Sequence, residues 1–356
     1  MNLIINNYED VLEYLPDNSK QIVKNNTYDI TKNIVKEINN YCKNKNTNTF
    51  VVSLSGGVDS MVIASIIHYL GYETICIHIN YNNREVSKKE SEFIIKWLEL
   101  NNIKYVFKEI KDFKRGTIKR NNYEEETKNI RFDLYKKTFI DYPDSKNTVM
   151  LGHHKDDVIE NIFNNVCRGR NLLELPVMSM ENEINNVIIA RPMINLFKKE
   201  VFEFAHENNI PYMKNTTPDW CMRGIFRYQI LPLISKNYIN LQNNLLKIGI
   251  QSNEWNEIIE IKVIKPFMEK VEFLQHGFKF DIISYENMPF SFWNVIMAKL
   301  YHIYKRPSPS YKSINGFIDY INCNQNVDKL NKKFKLSNDS TCTIKNKIIV
   351  ISFEFI

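Results

Sequence analysis

From Phe50 onward the sequence alternates between short apolar strands and helix-length segments, and this alternation constrains the fold more than any other feature. Strand patterns at 50–54, 74–80, 104–109 and 147–152 are separated by helical patterns at 59–70, 87–101, 124–140 and 155–167. Strands divided by helices of that length are joined by right-handed βαβ crossovers, which make the strands parallel and cover the sheet on both faces. The expected fold class is α/β, a doubly wound parallel sheet, with a mainly helical C-terminal region ending in a small β element. In that region "FWNVIMAKLYHIY" and "YKSINGFIDYI" read as two short helices and "KFKLSNDSTCTIKNKIIVISFEFI" as a hairpin or small sheet. Residues 1–48 read as an N-terminal extension with one amphipathic helix carrying Ile30, Ile34, Val35 and Ile38. The expected division is 1–48, 49–237 and 238–356.

A chain of 356 residues is long enough for two domains. Its net charge of +6 is mild; it permits a polyanionic partner without establishing one. Six cysteines, Cys42, Cys76, Cys167, Cys221, Cys323 and Cys342, are scattered without a C-x-x-C pair, which excludes a zinc knuckle pattern and fits a reducing, cytoplasmic setting. No apolar run approaches the ~18 residues that span a bilayer, so no membrane partner is expected.

The first strand runs directly into Ser55-Gly56-Gly57-Val58-Asp59-Ser60, and a helical pattern follows at once. Strand, glycine turn and helix together aim unpaired backbone N–H groups at an anion. No lysine follows the glycines as it does in a Walker loop. Ser55, Gly56, Gly57 and Ser60 can still cradle a pyrophosphate and leave the chemistry to the α-phosphate. Asp59 would stand beside the phosphates, which a carboxylate tolerates only with Mg²⁺ or a hydrogen-bond donor between the like charges. A second segment after a strand, "LGHHKDDVIENIFNNVCRGRN" from Leu151 to Asn171, should open onto the same crevice, because ligands of such sheets sit beyond the carboxyl ends of the strands. On a helix from Lys155, Asp156 and Glu160 share a face and Asp157 points about a quarter turn away. That face suits a cation, Mg²⁺ or an ammonium, and equally suits solvent.

"SGGVDS" after an apolar strand resembles the signature of the PP-loop ATP pyrophosphatases, which split ATP into AMP and pyrophosphate. "LGHHKDDVIENIFNNVCRGRN" resembles the H-H-x-D-D-x-x-E-T…R-G-x-G run of the tRNA(Ile)-lysidine synthetases, and so points to His153, His154, Asp156, Asp157, Glu160 and Arg168. "EEETKNIRFDLY" is similar to that family's E-x-x-A-R-x-x-R-Y helix and places Arg131, with Lys128 in place of the first arginine. "ARPMI" places Arg191, and "RGIFRYQILP" places Arg223 and Arg227. The tail from Phe292 to Ile356 faintly resembles the family's C-terminal RNA-binding part. The sequence departs from the pattern at Asn161, at Arg170-Asn171, at Gly224, and across "KNTTPDWCMRG", where the family carries D-x-S-N.

The resemblance implies a ligase that uses ATP and Mg²⁺ to adenylate the C2 oxygen of cytidine 34 in an isoleucine tRNA, after which L-lysine displaces AMP to give lysidine. It assigns Ser55, Gly56, Gly57, Asp59, Ser60, His153 and His154 to the nucleotide, and Asp59 and Asp157 to the metal. Asp156, Asp157, Glu160, Arg168, Arg191, Arg223 and Arg227 fall to lysine and tRNA. Asp59, Arg131, Asp156 and Glu160 fall to catalysis, with Arg131 stabilising charge on the α-phosphate. The basic stretch Lys108 to Arg120 reads either as a contact for tRNA backbone or as a solvated loop. A PP-loop thiolase and a non-catalytic nucleotide- or RNA-binding homologue are the alternatives. The sequence leaves the oligomeric state open, a homodimer included.

Overall fold

The computed structural model describes residues 8, 10–14, 28–111, 120–176, 178–214, 222–323 and 333–354. The chain forms two compact units, Met1–Gly169 with Leu175–Gly249, and Arg170–Glu174 with Ile250–Ile356.

In the first unit the strands are β1 (Leu12–Tyr14), β2 (Thr49–Ser53), β3 (Glu73–Asn80), β4 (Lys104–Glu109), β5 (Thr148–Met150), β6 (Glu181–Ile184), β7 (Val187–Ala190) and β8 (Tyr212–Met213). The helices are α1 (Asn33–Lys43), α2 (Val58–Tyr69), α3 (Ser87–Leu100), α4 (Arg120–Asp141), α5 (Lys155–Cys167), α6 (Lys198–Glu207) and the short α7 (Met222–Ile225) and α8 (Leu231–Ser235). Six strands form one sheet in the order β4-β3-β2-β5-β7-β6. β2 pairs in parallel with both β3 and β5, β3 with β4, and β5 with β7, whereas β6 closes the edge antiparallel to β7. The strand order reverses between β2 and β5, which makes their carboxyl ends the topological switch point where such sheets bind ligands.

Period-two alternation explains why both faces are covered. Phe50, Val52 and Leu54 of the first strand segment face a core shared with α1, α2, α3 and α6, through residues such as Ile38, Ile63, Phe93 and Phe204. Val51, with Ile75, Ile77, Val149 and Ile189, faces Phe132, Tyr135 and Phe139 of α4. Helix α2 is buried almost throughout its length, from Val58 to Ile67, as befits a helix that is apolar all round and central. β1 and β8 form a separate two-stranded antiparallel ribbon.

The division differs from the sequence-based one at two places. Helix α1 is part of the first unit's core, because Ile34, Val35, Ile38, Tyr41 and Cys42 are buried in it. The boundary falls at 249/250 instead of 237/238, because Leu241, Leu245 and Leu246, on a helix spanning Leu241–Ile259 (α9), pack with Ile159 and Ile162 of α5.

The second unit holds α10 (Lys265–Met268), α11 (Phe290–Ile303) and α12 (Tyr311–Cys323). Its strands are β9 (Glu272–Leu274), β10 (Gly277–Asp281), β11 (Phe334–Ser337), β12 (Ser340–Lys345) and β13 (Ile348–Phe353). They form an antiparallel sheet in the order β11-β12-β13-β10-β9. The expected terminal β element is therefore enlarged by the β9–β10 hairpin from earlier in the chain. Phe267, Phe278, Trp293, Phe317 and Ile351 fill its core. Among the described residues no helix is long and apolar enough to cross a membrane.

Candidate active site

Three chain segments end at the switch point: the turn after β2, the loop after β5, and the start of α6. The turn is self-organised. Ser60 Oγ accepts the N–H groups of Ser55 and Gly56 at 3.1 and 3.2 Å and donates to the Gly57 carbonyl at 2.9 Å. The Ser60 hydroxyl, expected to touch phosphate, is buried inside the turn and shapes it. Ser55 Oγ accepts the Gly57 N–H at 3.4 Å. Gly56 has φ +86°, a left-handed conformation that L side chains rarely adopt. Gly57 is the N-cap of α2 and supplies no capping side chain, so the N–H groups of the first turn lack the internal acceptor that most helices provide.

Asp59, in that first turn, is held by a residue that the sequence motifs did not bring forward. Lys198 Nζ donates to both Asp59 carboxylate oxygens at 2.6 Å. Lys198 opens α6, and its own backbone N–H donates to Asp156 Oδ2 at 2.8 Å. The only available signal was its place seven residues after Arg191, and no spacing rule links a residue 139 positions downstream to a glycine turn.

His154 joins the segments. It is 1 % exposed, with Nε2 3.6 Å from Asp59 Oδ1 and 3.4 Å from Asp157 Oδ2, and Nδ1 3.4 Å from Asp156 Oδ2. Burial alone would raise the carboxyls of Asp156 and Asp157. For Asp156 the His154 ring and the Lys198 N–H outweigh burial, and for Asp157 the His154 ring and the Arg227 guanidinium do so, and both carboxyls lie below the ordinary aspartate value.

The acidic face of α5 is arranged differently from the expected pairing of Asp156 with Glu160. Arg227 donates from Nη2 to Asp157 Oδ1 at 2.6 Å and from Nε to Glu160 Oε2 at 3.0 Å, so Asp157 and Glu160 form the pair. Arg223 adds a contact from Nε to Glu160 Oε1 at 2.9 Å. Residues three apart on a helix are neighbours just as residues four apart are, and the docking of 222–230 decides between them. Asp157 Oδ2 also accepts the backbone N–H of His154 at 3.0 Å. Its two oxygens are thus committed, one to Arg227 and one to the histidine loop, which disfavours it as a metal ligand. Asp59 is the carboxylate whose position, beside uncapped N–H groups and partly exposed, suits the mode in which Mg²⁺ shares one or two carboxylates with substrate phosphates.

The two adjacent histidines have separate environments. His153 Nδ1 accepts the Arg191 Nε–H at 3.2 Å, which fixes the neutral ring with its proton on Nε2. Burial drives its pKa down to about 4, with the Arg191 and Arg223 guanidinium groups acting in the same direction. Arg191 is itself buried, and its Nη1 donates to Ser179 O and Asn182 Oδ1 at 2.9 and 2.7 Å. Such an arginine fixes the start of β6 to the histidine loop and is committed to structure. His78 is a second unanticipated contributor: buried, it lies 2.8 Å from Leu54 O and 2.9 Å from Ser91 Oγ, tying the end of the first strand segment to α3.

Arg131 stands on α4 beside Tyr81, just past the carboxyl end of β3; burial raises the Tyr81 phenol above its ordinary value, and the Arg131 charge offsets part of that rise. Arg168 is exposed at the C-cap of α5, about 18 Å along the helix from Asp156 at 1.5 Å per residue, and is not brought to the site. Most of "KNTTPDWCMRG" and of the basic stretch 108–120 lies outside the described residues. A cavity of about 180 Å³ opens beside the cluster, lined by His154, Asp156, Ile159, Lys198, Phe226 and Arg227 among others. It is well below the ~300–1,000 Å³ of a pocket for a drug-sized ligand. Among the described residues no group of three His, Cys, Asp or Glu is clustered as a ready-made metal site.

The chain is similar to the bifunctional protein TilS/HprT of Listeria innocua, with 26% identity over 65% of this chain; it spans only 36% of that protein. It is similar to the tRNA(Ile)-lysidine synthases of Mycoplasma genitalium, 22% identical over 86% of this chain and 98% of that protein, and of Malacoplasma penetrans, 25% identical over 85% and 98%. Among solved structures, the U34-tRNA thiolase NcsA of Methanococcus maripaludis aligns with a TM-score of 0.49 and 19% identity, covering 65% of this chain and 81% of that one. Residues 30–234, more than half of the chain, match the family model for the PP-loop domain, and the protein belongs to that family.

Proposed function

We propose that the protein is a tRNA(Ile)-lysidine synthase, a ligase that spends ATP to replace the C2 oxygen of cytidine 34 in an isoleucine tRNA with lysine. The observation that carries the reading is the meeting of the phosphate turn and the acidic histidine loop at His154, with an amine-sized cavity alongside. Near full-length similarity to the Mycoplasma and Malacoplasma synthases supports it.

In the first step the N–H groups at the start of α2 hold the β- and γ-phosphates. The cytidine O2 attacks the α-phosphorus, the bond to the β-phosphate oxygen breaks, and pyrophosphate leaves. Asp59 would hold Mg²⁺ arriving with ATP, which supplies charge neutralisation at the phosphates. Arg131, at the carboxyl edge of the sheet, is the cation available for charge developing on the α-phosphate. In the second step the lysine Nζ attacks C2, the C2–O bond breaks, AMP leaves with the oxygen, and the nitrogen gives up its proton. Asp156 is the carboxylate that lines the cavity, whereas Asp157 and Glu160 are held by Arg227. Asp156 is therefore the residue for the lysine ammonium or α-amino group, and Asp157 and Glu160 position it. Arg223, half exposed on α7, is suited to tRNA phosphate.

Pyrophosphate release from ATP, measured with and without isoleucine tRNA and lysine, tests the assignment, with mass spectrometry of the digested tRNA. Lysidine is the expected product. A thionucleoside would move the protein to the thiolase alternative, and a rate indifferent to both tRNA and lysine would remove the assignment.

A further inference from the structure

We propose that Lys198 is a phosphate-binding cation held in reserve by Asp59 and handed to the nucleotide when it arrives. This rests on the reading of residues 55–60 as a polyphosphate site. A phosphate loop normally carries its lysine directly behind the glycines, and here that position holds Val58 and Asp59 instead. The missing ammonium comes from another part of the chain: Lys198 Nζ sits on Asp59, in the first turn of α2, next to the N–H groups that face the phosphates.

The anchoring of Lys198 suits a moving head on a fixed base. Its backbone is locked as the first residue of α6, with its N–H donated to Asp156. Its side chain is free to turn about four bonds, and the pair is partly open, at 24 % and 26 % side-chain exposure. The ammonium also lies 5.0 Å from the Phe202 ring centroid, which gives it an apolar flank and leaves its other side to Asp59.

The charges then decide the order of events. Without nucleotide, Asp59 and Lys198 neutralise each other. A triphosphate brought to the turn places several negative charges beside Asp59, and a carboxylate without a cation there would oppose binding. A divalent ion entering with the nucleotide competes for the same two Asp59 oxygens. The displaced ammonium is already within reach of the phosphates, so each negative group keeps a cation throughout.

A purely structural counter-ion would look the same in this state, and nucleotide affinity separates the two. The probe is α,β-methylene ATP, whose α–β bridge cannot be cleaved, titrated calorimetrically with EDTA and again with Mg²⁺. In EDTA, Lys198→Gln is expected to bind about tenfold more weakly than wild type, and Lys198→Arg to stay within about threefold of it. Asp59→Asn, which frees the ammonium, is expected to bind several-fold more tightly than wild type. The double variant Asp59→Asn/Lys198→Gln should lose that gain. Equal affinity of the double variant and Asp59→Asn would overturn the proposal. If Lys198→Gln alone does not fold, judged by near-UV circular dichroism, the double variant decides, since it leaves no carboxylate uncompensated. Wild type that binds no nucleotide under either condition would instead overturn the reading of the turn.

Discussion

Gly152 and Asp59 are in contact across the switch point, so closely that a Cβ on Gly152 would stand 2.6 Å from Asp59 Cβ and 2.8 Å from its carbonyl carbon. The obstructing atoms are backbone or adjoin it, and cannot swing aside. Gly152→Ala must therefore shift the first turn of α2 or the histidine loop. We expect nucleotide affinity to fall at least about tenfold, with a moderate loss of stability of about 1–3 kcal/mol. Calorimetric titration and a urea melt measure the two effects, and an unchanged affinity would show that the turn does not depend on this contact.

Gly56→Ala acts by a different route. Its Cβ would meet Ile94 Cδ1 at 2.8 Å and Met213 Cγ at 2.9 Å, side-chain atoms able to give way, but φ +86° is strained for any L residue. The expected loss is about 1–3 kcal/mol from the backbone alone. Truncating Ile94 to Val in the same chain should recover little of it in a urea melt.

Arg227→Leu leaves Asp157 and Glu160, at 8 % and 5 % side-chain exposure, without their shared cation. Removing one partner of a buried ion pair costs about 3–5 kcal/mol; Arg223, which still reaches Glu160, and the partial exposure of Arg227 place the expectation near the lower end. Chemical denaturation at pH 7 checks the value. Adding Asp157→Asn and Glu160→Gln should restore part of the stability, since the charges are then gone.

Acid should destabilise the first unit in two stages. The His153 pKa falls from 6.5 unfolded to about 4 folded, so between those values the unfolded chain binds the extra proton. Stability from this group is complete above about 6.5 and is lost as pH falls toward 4, in all about 3 kcal/mol. Asp156 and Asp157, depressed in the folded state, contribute above the ordinary aspartate value and lose that contribution as pH falls below it. Melting curves from pH 8 to 3 should show the first stage vanish in His153→Gln while the second persists.

Asp156→Asn tests the amine site. The KM for lysine should rise at least about tenfold while affinity for α,β-methylene ATP changes little, because Asp156 lines the cavity and Asp59 stands at the phosphate turn. Equal losses in both would place Asp156 in the nucleotide site.

The sheet and its glycine turn were legible because their signals are local: period-two strands, helix-length spacers and a turn that only glycine permits. The antiparallel edge strand β6 and the ribbon of β1 with β8 were not, being short and lacking an apolar run of their own. A helical wheel placed Asp156 with Glu160, but Arg227 arrives from 70 residues away to couple Asp157 with Glu160, and Asp156 turns toward α6. His153 and His154 looked equivalent in sequence. Burial, with the Arg191 guanidinium beside it, keeps one ring neutral, while three carboxylates surround the other. Lys198 belonged to no motif, since its part is set wholly by where α6 begins.

The groups that meet around His154 are spread between positions 59 and 227, and synthesis delivers them in that order. When the glycine turn leaves the ribosome its ammonium partner has not been made, and at ~5–20 residues per second the last arginine follows on the order of ten seconds later. A nascent or truncated chain ending before Lys198 carries the turn without the ammonium that holds Asp59. The cluster is thus closed late, and only on chains translated through Arg227.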